Sequence, residues 1–308
     1  MVEITASLVK ELRDRTGAGM MDCKRALGEV QGDLEQAVDW LRQKGLAAAA
    51  KKAGRVTAEG LVGINVQGTV GAVVEVNAET DFVARNDKFQ NFVGEVVNLA
   101  TAYKGDFAGF SESAYGQDTG RTIGEELKHL ISLVGENMNF RRAARLEVSS
   151  GVVVGYMHGA LMPGLGRIGV IVALESKADK QELEALGRQI AMHVAATNPQ
   201  AVHVSELETS FVEREKKVLS EKARASGKPE AVIEKMIEGG LRKLYEEVVL
   251  MEQSFIMAPD SKVKQIIEDH GKKLGAPIEL AGFVRFALGE GIDKGEEDFA
   301  AEVANLQK

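Results

Sequence analysis

Few residues of this 308-residue chain are of types that do covalent chemistry: there are five histidines and one cysteine. His129, His158, His193, His203 and His270 show no H-x-x-x-H or H-x-E spacing, and Cys23 alone cannot build a cysteine-based zinc site, so no metal centre is expected. A nucleophilic pairing of Cys23 with a histidine stays open on spacing, because a fold can bring such partners together. Cys23 lies in a short helical pattern, however, and reads as a small apolar core residue. Gly164, Gly166 and Gly169 spell G-x-G-x-x-G. The dinucleotide fingerprint needs a helix to begin within it, so that the pyrophosphate meets the helix N-terminus. Here the apolar run 169–174 follows, which reads as a strand and makes the glycines a loop between strands. No G-x-x-x-x-G-K-[ST] occurs, so neither a phosphate-cradling enzyme nor a bound cofactor is expected.

Two other features suit contact with another protein. Arg13, Met20 and Met21 flank a tight turn at Thr16-Gly17-Ala18-Gly19. An exposed methionine pair makes a flexible, polarizable contact surface, although periodicity favours one or both being core. In NAETDFVARN (77–86) a strand ends and a polar loop carries Phe82 beside Asp81 just ahead of a helix. Asp81 or Asp87 can cap that helix with Phe82 packed beneath it as a staple, the reading the local pattern favours. The other reading sends the ring and its neighbouring acid into a partner's pocket.

The elements that position these residues follow from periodicity. Residues 5–45 hold three short helices: Thr5 caps the first, and Leu8, Val9 and Leu12 form its apolar stripe. The second runs from Met20 to about Val30. Asp33 and Gln36 open the third, which carries Leu34, Ala37, Val38 and Leu41 and is expected to stop at Gly45. LAAAAKKAGR (46–55) reads as a helical or flexible linker. Next comes an internal repeat. GLVGINV (60–66) with GAVVEV (71–76), and GVVVGYM (151–157) with GVIVAL (169–174), read as two hairpins. Each is followed by two amphipathic helices and a closing strand, FRRAARL (140–146) in the first half and FVRFAL (283–288) in the second. Strands packed against helices in this order predict an α+β fold with two related core subdomains, spanning 60–148 and 149–288. Residues 104–120 read as a surface loop, 205–250 as an inserted helical hairpin able to pair with a second copy, and 289–308 as a C-terminal module with a helical stripe of Phe299, Val303 and Leu306.

Composition narrows the class. Lys and Arg total 38 against 46 Asp and Glu, a net charge of −8, which argues against gripping nucleic acid by its phosphates. Residues 1–55 depart from this, with ten basic and eight acidic side chains, as a separate N-terminal module would. One cysteine excludes an intrachain disulfide, and the start MVEITASLVK lacks the basic and apolar regions of a secretory signal. No apolar run approaches the roughly 20 residues of a membrane span. A cytoplasmic protein is expected.

Four segments carry a family resemblance: EITASLVKELRDRTGAGMMDCKRAL (3–27), TDFVA (80–84), GEN with NFRR (135–137 and 139–142), and GEGI with DFAAEVA (289–292 and 298–304). In order and spacing they resemble the translation elongation factor Ts family over the whole chain. The resemblance implies a guanine-nucleotide exchange factor for elongation factor Tu, with a ubiquitin-associated-like module over 1–45, a linker over 46–59, a dimerising coiled-coil hairpin and a C-terminal module. It implies that Thr80, Asp81, Phe82 and Val83 intrude near the partner's magnesium site. It also implies that Arg13, Met20, Met21 and His158 touch the partner elsewhere. Two rivals from other classes make different demands. An enzyme using a cleft between the subdomains needs clustered titratable residues, and the sequence offers no evident set. An RNA binder needs a basic, aromatic-laced stripe. Arg141, Arg142 and Arg145 come nearest, and their alternation along a strand reads as a solvated face.

Overall fold

The computed structural model describes residues 4–116, 119–225 and 227–293. The expected C-terminal helix, with Phe299, Val303 and Leu306, lies outside them. The chain is a mixed α+β protein in two compact units. One comprises the described residues of 1–62, 74–143 and 287–308, the other residues 63–73 and 144–286.

Three helices open the first unit: α1 (Ala6–Thr16), α2 (Met20–Glu29) and α3 (Leu34–Lys52). Thr5 Oγ1 accepts the Leu8 N–H and Asp33 Oδ1 accepts the Gln36 N–H, so the expected caps form. Val9, Leu12, Cys23, Ala26, Leu27 and Ala37 make a thin buried core. The helix expected to stop at Gly45 instead runs seven residues further, to Lys52. A Cβ at Gly45 would lie 2.9 Å from Ser132 Oγ, so the missing side chain admits a close helix approach rather than a left-handed cap. The alanine-rich run that follows then continues the helix.

Beyond α3 come β1 (Glu59–Gln67), β2 (Val70–Ala78), α4 (Asp87–Ala102), α5 (Ile123–Val134) and β3 (Met138–Glu147). Phe89, Phe92, Val93, Val96, Val97 and Ala100 form the buried stripe of α4. Ile123, Leu127, Leu130 and Ile131 do the same for α5, whose start is a full capping box of Thr122 and Glu125. Residues 104–120 are not simply a solvated loop. Phe107–Glu112 form a 3₁₀ turn whose Phe110 is buried, with ring centroids of Tyr103, Phe107 and Phe140 4.8–5.7 Å away.

The second repeat supplies β4 (Gly151–His158), β5 (Leu165–Gly166), β6 (Ile168–Glu175) and α6 (Lys180–Thr197). The helical hairpin follows as α7 (Thr209–Ala225) and α8 (Glu230–Val248), then β7 (Ser254–Phe255), β8 (Ala258–Lys262), α9 (Val263–Leu274) and β9 (Glu279–Ala287). The small β7–β8 ribbon has no counterpart among the sequence expectations. Val152, Val154, Val170, Val172 and Leu174 pack on Leu183, Leu186, Ile190 and Val194 of α6, and Val263 and Ile267 of α9 join the same core.

The strands run β3-β2-β1-β5 in one sheet and β4-β6-β9 in the other. In both, the second hairpin strand is flanked by its own partner and by the closing strand. Among the described residues, no helix is long and apolar enough to cross a membrane.

Candidate functional site

Strand β2 ends at Ala78, and α4 begins at Asp87. Between them the chain makes a 3₁₀ turn, Val83–Arg85, in which the Arg85 and Asn86 N–H groups donate to Phe82 and Val83 carbonyls at 3.1 and 2.9 Å. Neither Asp81 nor Asp87 caps the helix. Asn86 does, its Oδ1 accepting the Lys88 N–H at 2.9 Å. The reason is register: the tight 3₁₀ turn places Asn86 in extended backbone immediately before the first helical residue.

Phe82 is no staple either. It is 78% exposed, the highest value among the large exposed hydrophobic residues that the structure describes. Val83, the next residue, is 3% exposed and anchors the turn in the core. Thr80 is fixed from the opposite side. Its N–H donates to Glu136 Oε2 at 3.0 Å and its hydroxyl donates to Glu136 Oε1 at 2.9 Å. Glu79 returns the contact, its carboxylate accepting the Asn137 N–H. The Asn137 amide then donates to the Arg55 carbonyl at 2.8 Å, and Arg55 approaches Glu79 at 3.4 Å. Of the four residues singled out, Thr80 and Val83 therefore hold the loop, while Asp81 and Phe82 face solvent.

The N-terminal bundle belongs to the same unit and meets this helix layer. A Cβ at Gly17 would lie 3.2 Å from Lys88 Nζ and 3.7 Å from Leu133 Cδ1. Arg42 pairs with Glu125 at 2.9 Å, and Lys52 donates to the Gly135 carbonyl. Burial, with Arg121 and Lys88 adding positive charge, pushes His129 on α5 down to about 4, and the Thr16 backbone contact only partly opposes this. The imidazole is therefore neutral where α1 ends against α5. Met20 and Met21 are 61% and 70% exposed, which removes the core reading left open for them. Arg13 is exposed on α1. His158 is exposed at the end of β4 in the second unit, its Nδ1 3.3 Å from the Tyr156 hydroxyl.

The groups of conventional chemical promise have structural duties. His193 is fully buried; its Nδ1 accepts the Ile256 N–H at 3.2 Å, so Nε2 carries the proton donated to Gln253 Oε1 at 2.8 Å. Burial pushes the Cys23 thiol up, away from thiolate reactivity. Gly164 and Gly166 lie in the connection to β6, where the Gly164 carbonyl accepts the Ile64 N–H at 2.8 Å. Among the described residues, no three His, Cys, Asp or Glu side chains gather closely enough to hold a metal ion. Arg141 and Arg142 are not a solvated face. They grip the buried carboxylate of Glu75 at 3.0 and 2.6 Å. Glu136, Glu79 and Asn137 are site residues that sequence reasoning misses: GEN (135–137) carries family resemblance but no pattern that assigns it a role, and Glu79 reads as one more polar residue of the 77–86 segment.

An α+β fold with an acid and an aromatic ring offered to solvent on a fixed loop makes a protein suited to docking. A family model described as Elongation factor TS matches residues 79–290. Elongation factor Ts of Rhodospirillum rubrum is 63% identical over 304 residues, covering 99% of this chain and 98% of its own. Those of Rhodospirillum centenum and Rhizobium meliloti are 59% and 54% identical, each alignment covering 99% of both chains. The chain belongs to the elongation factor Ts family.

Proposed function

We propose that this chain is the guanine-nucleotide exchange factor of elongation factor Tu, acting in the cytoplasm during translation elongation. In this reading it binds the GDP form, disturbs the magnesium site through Asp81 and Phe82, and lets GDP leave so that GTP can enter. It makes and breaks no covalent bond. The observation that carries the reading is the 78% exposure of Phe82 on a loop fixed at both ends, in a chain of the elongation factor Ts family. A large apolar ring left in water is poised to gain free energy on entering a partner's pocket, roughly 1.5–3 kcal/mol when fully buried. Linkage supplies the rest. A protein that binds nucleotide-free elongation factor Tu more tightly must weaken GDP binding by the same factor, tenfold for each 1.4 kcal/mol or so of differential binding. Arg13, Met20 and Met21 serve as a second contact and His158 as a third, all four being exposed.

The test is release of a fluorescent GDP analogue from purified elongation factor Tu in a stopped-flow instrument. Dose-dependent acceleration by this chain is the expected result, and its absence with both proteins folded overturns the proposal. The same reading makes the α7–α8 hairpin a dimer contact, supported by Val218, Val232 and Met236, which are 38–39% exposed along it. Sedimentation velocity over a range of concentrations should show a mass of two chains, and a single chain throughout would remove that part.

A further inference from the structure

We infer that Glu136 is a positioning residue of the exchange reaction, presetting the Asp81–Phe82 loop before the partner arrives. The inference rests on the function proposed above and assigns a task to a side chain that touches no nucleotide in that reading. Its basis is a reciprocal clasp between two chain segments. Glu136 accepts both the N–H and the hydroxyl of Thr80, at 3.0 and 2.9 Å, while Glu79 accepts the N–H of Asn137. Neighbouring residues of one segment thus exchange carboxylate-to-backbone bonds with neighbouring residues of the other. Bonds from a charged acceptor are the strong kind, and the paired arrangement fixes direction as well as distance.

The clasp lies immediately before the exposed pair. Asp81 and Phe82 are the two residues between Thr80, held by Glu136, and Val83, which is buried at 3%. An isolated loop of this kind would lose conformational freedom on binding, and that loss subtracts from the work the ring can do. With both flanks fixed, the ordering has already occurred in the free protein. Deleting the Glu136 carboxylate frees the upstream flank and leaves the exposed residues chemically intact. The deficit should therefore appear in the step that Phe82 drives, and much less in the initial capture of the partner by Arg13, Met20, Met21 and His158.

The experiment measures GDP-analogue release against chain concentration for the wild type, Glu136→Ala, Glu136→Gln, Phe82→Ala and the Phe82→Ala/Glu136→Ala double variant. Glu136→Ala should lower the maximal release rate about tenfold, the size of one lost charge-assisted hydrogen bond, while the half-saturating concentration moves less than about twofold. Glu136→Gln keeps one acceptor oxygen and should recover part of the rate. In the Phe82→Ala background the same change should have almost no further effect, because the element being positioned is gone. Equal losses in both backgrounds, or an unchanged maximal rate, overturn the inference. Should Glu136→Ala fail to fold, Thr80→Val removes the hydroxyl donor at nearly constant volume and carries the same test. Amide hydrogen exchange of the free protein separates this inference from the functional one. Protection at Thr80 must fall in Glu136→Ala, and unchanged protection overturns the positioning itself, whereas failure of the wild-type chain to accelerate GDP release overturns the functional reading and, with it, the role in exchange.

Discussion

Replacing Phe82 with alanine should lower the maximal rate of GDP release from elongation factor Tu about 30-fold or more, with the fold of this chain unchanged. The magnitude follows from the ring. Burying a phenylalanine side chain is worth about 2 kcal/mol, and each 1.4 kcal/mol or so is a factor of ten in rate. The selectivity follows from exposure. A side chain that is 78% exposed contributes little to the native core, so the thermal midpoint should shift by no more than about 1 °C. Binding should persist in weakened form, because the contacts proposed for Met20, Met21, Arg13 and His158 are untouched. The measurement is paired: stopped-flow release for the rate, and calorimetry of the free variant for stability. A variant that exchanges like the wild type overturns the role proposed for Phe82 at the magnesium site. A variant that melts several degrees lower returns Phe82 to a packing role.

Glu75→Ala is the substitution with the largest expected effect on stability, a loss of about 3–5 kcal/mol. Glu75 is fully buried on β2, and its carboxylate accepts from Arg141 Nη1, Arg142 Nε, the Asn77 amide and the Gly289 N–H, at 3.0, 2.6, 3.0 and 2.8 Å. The same two arginines reach the carbonyls of Glu290 (2.6 Å) and Ala287 (3.2 Å), so one buried anion secures the segment 287–290 against β2 and β3. Removing it leaves two partly buried guanidinium groups facing a cavity. Urea unfolding reads the loss as a shift in midpoint, and a shift worth less than about 1 kcal/mol would contradict this account. The charge state gives a second readout. Burial alone would raise the Glu75 carboxyl, but the Gly289 N–H, the Asn77 amide and the Arg142 guanidinium together hold it below the ordinary 4.5. A depressed carboxyl contributes its stability above the unfolded-state value and loses it as pH falls through the folded-state value. The wild type should therefore lose part of its stability below pH 4.5. Glu75→Gln, neutral at every pH, should lack that component, and an equally steep acid loss in the variant would assign the dependence to other groups.

The fold was legible where chemistry is local. Apolar spacing gave the three N-terminal helices, both hairpins and the amphipathic helices behind them, since one chain period decides which residues share a face. It also sets the order of elements, and strands packed against helices in that order imply the α+β class without any knowledge of strand pairing. The errors share one cause. Gly45 looked like a helix end because its φ cannot be read from its type, and only the approach of Ser132 explains a glycine there. Phe110 and its neighbouring rings sat in a glycine-rich stretch whose polarity hid a buried aromatic cluster. Arg141 and Arg142, with Arg145, read as a solvated strand face, and no sequence pattern announces a buried carboxylate 66 residues before Arg141.

The candidate site divides along the same line. The residues themselves, an acid and a phenylalanine between a strand and a helix, were legible as a composition. So was the methionine pair beside its turn. Their exposure was not, because whether a side chain faces core or solvent depends on where the 3₁₀ turn directs the chain before α4. Nor was the clasp from Glu136, which joins residues 56 positions apart. By itself the sequence determined the principal helices and hairpins and which side chains are available, since both follow from propensity and period along the chain. The tertiary structure alone decided which of those side chains are held and which are left in water, because hydrogen-bond partners and buried area are set by residues distant in sequence and close in space.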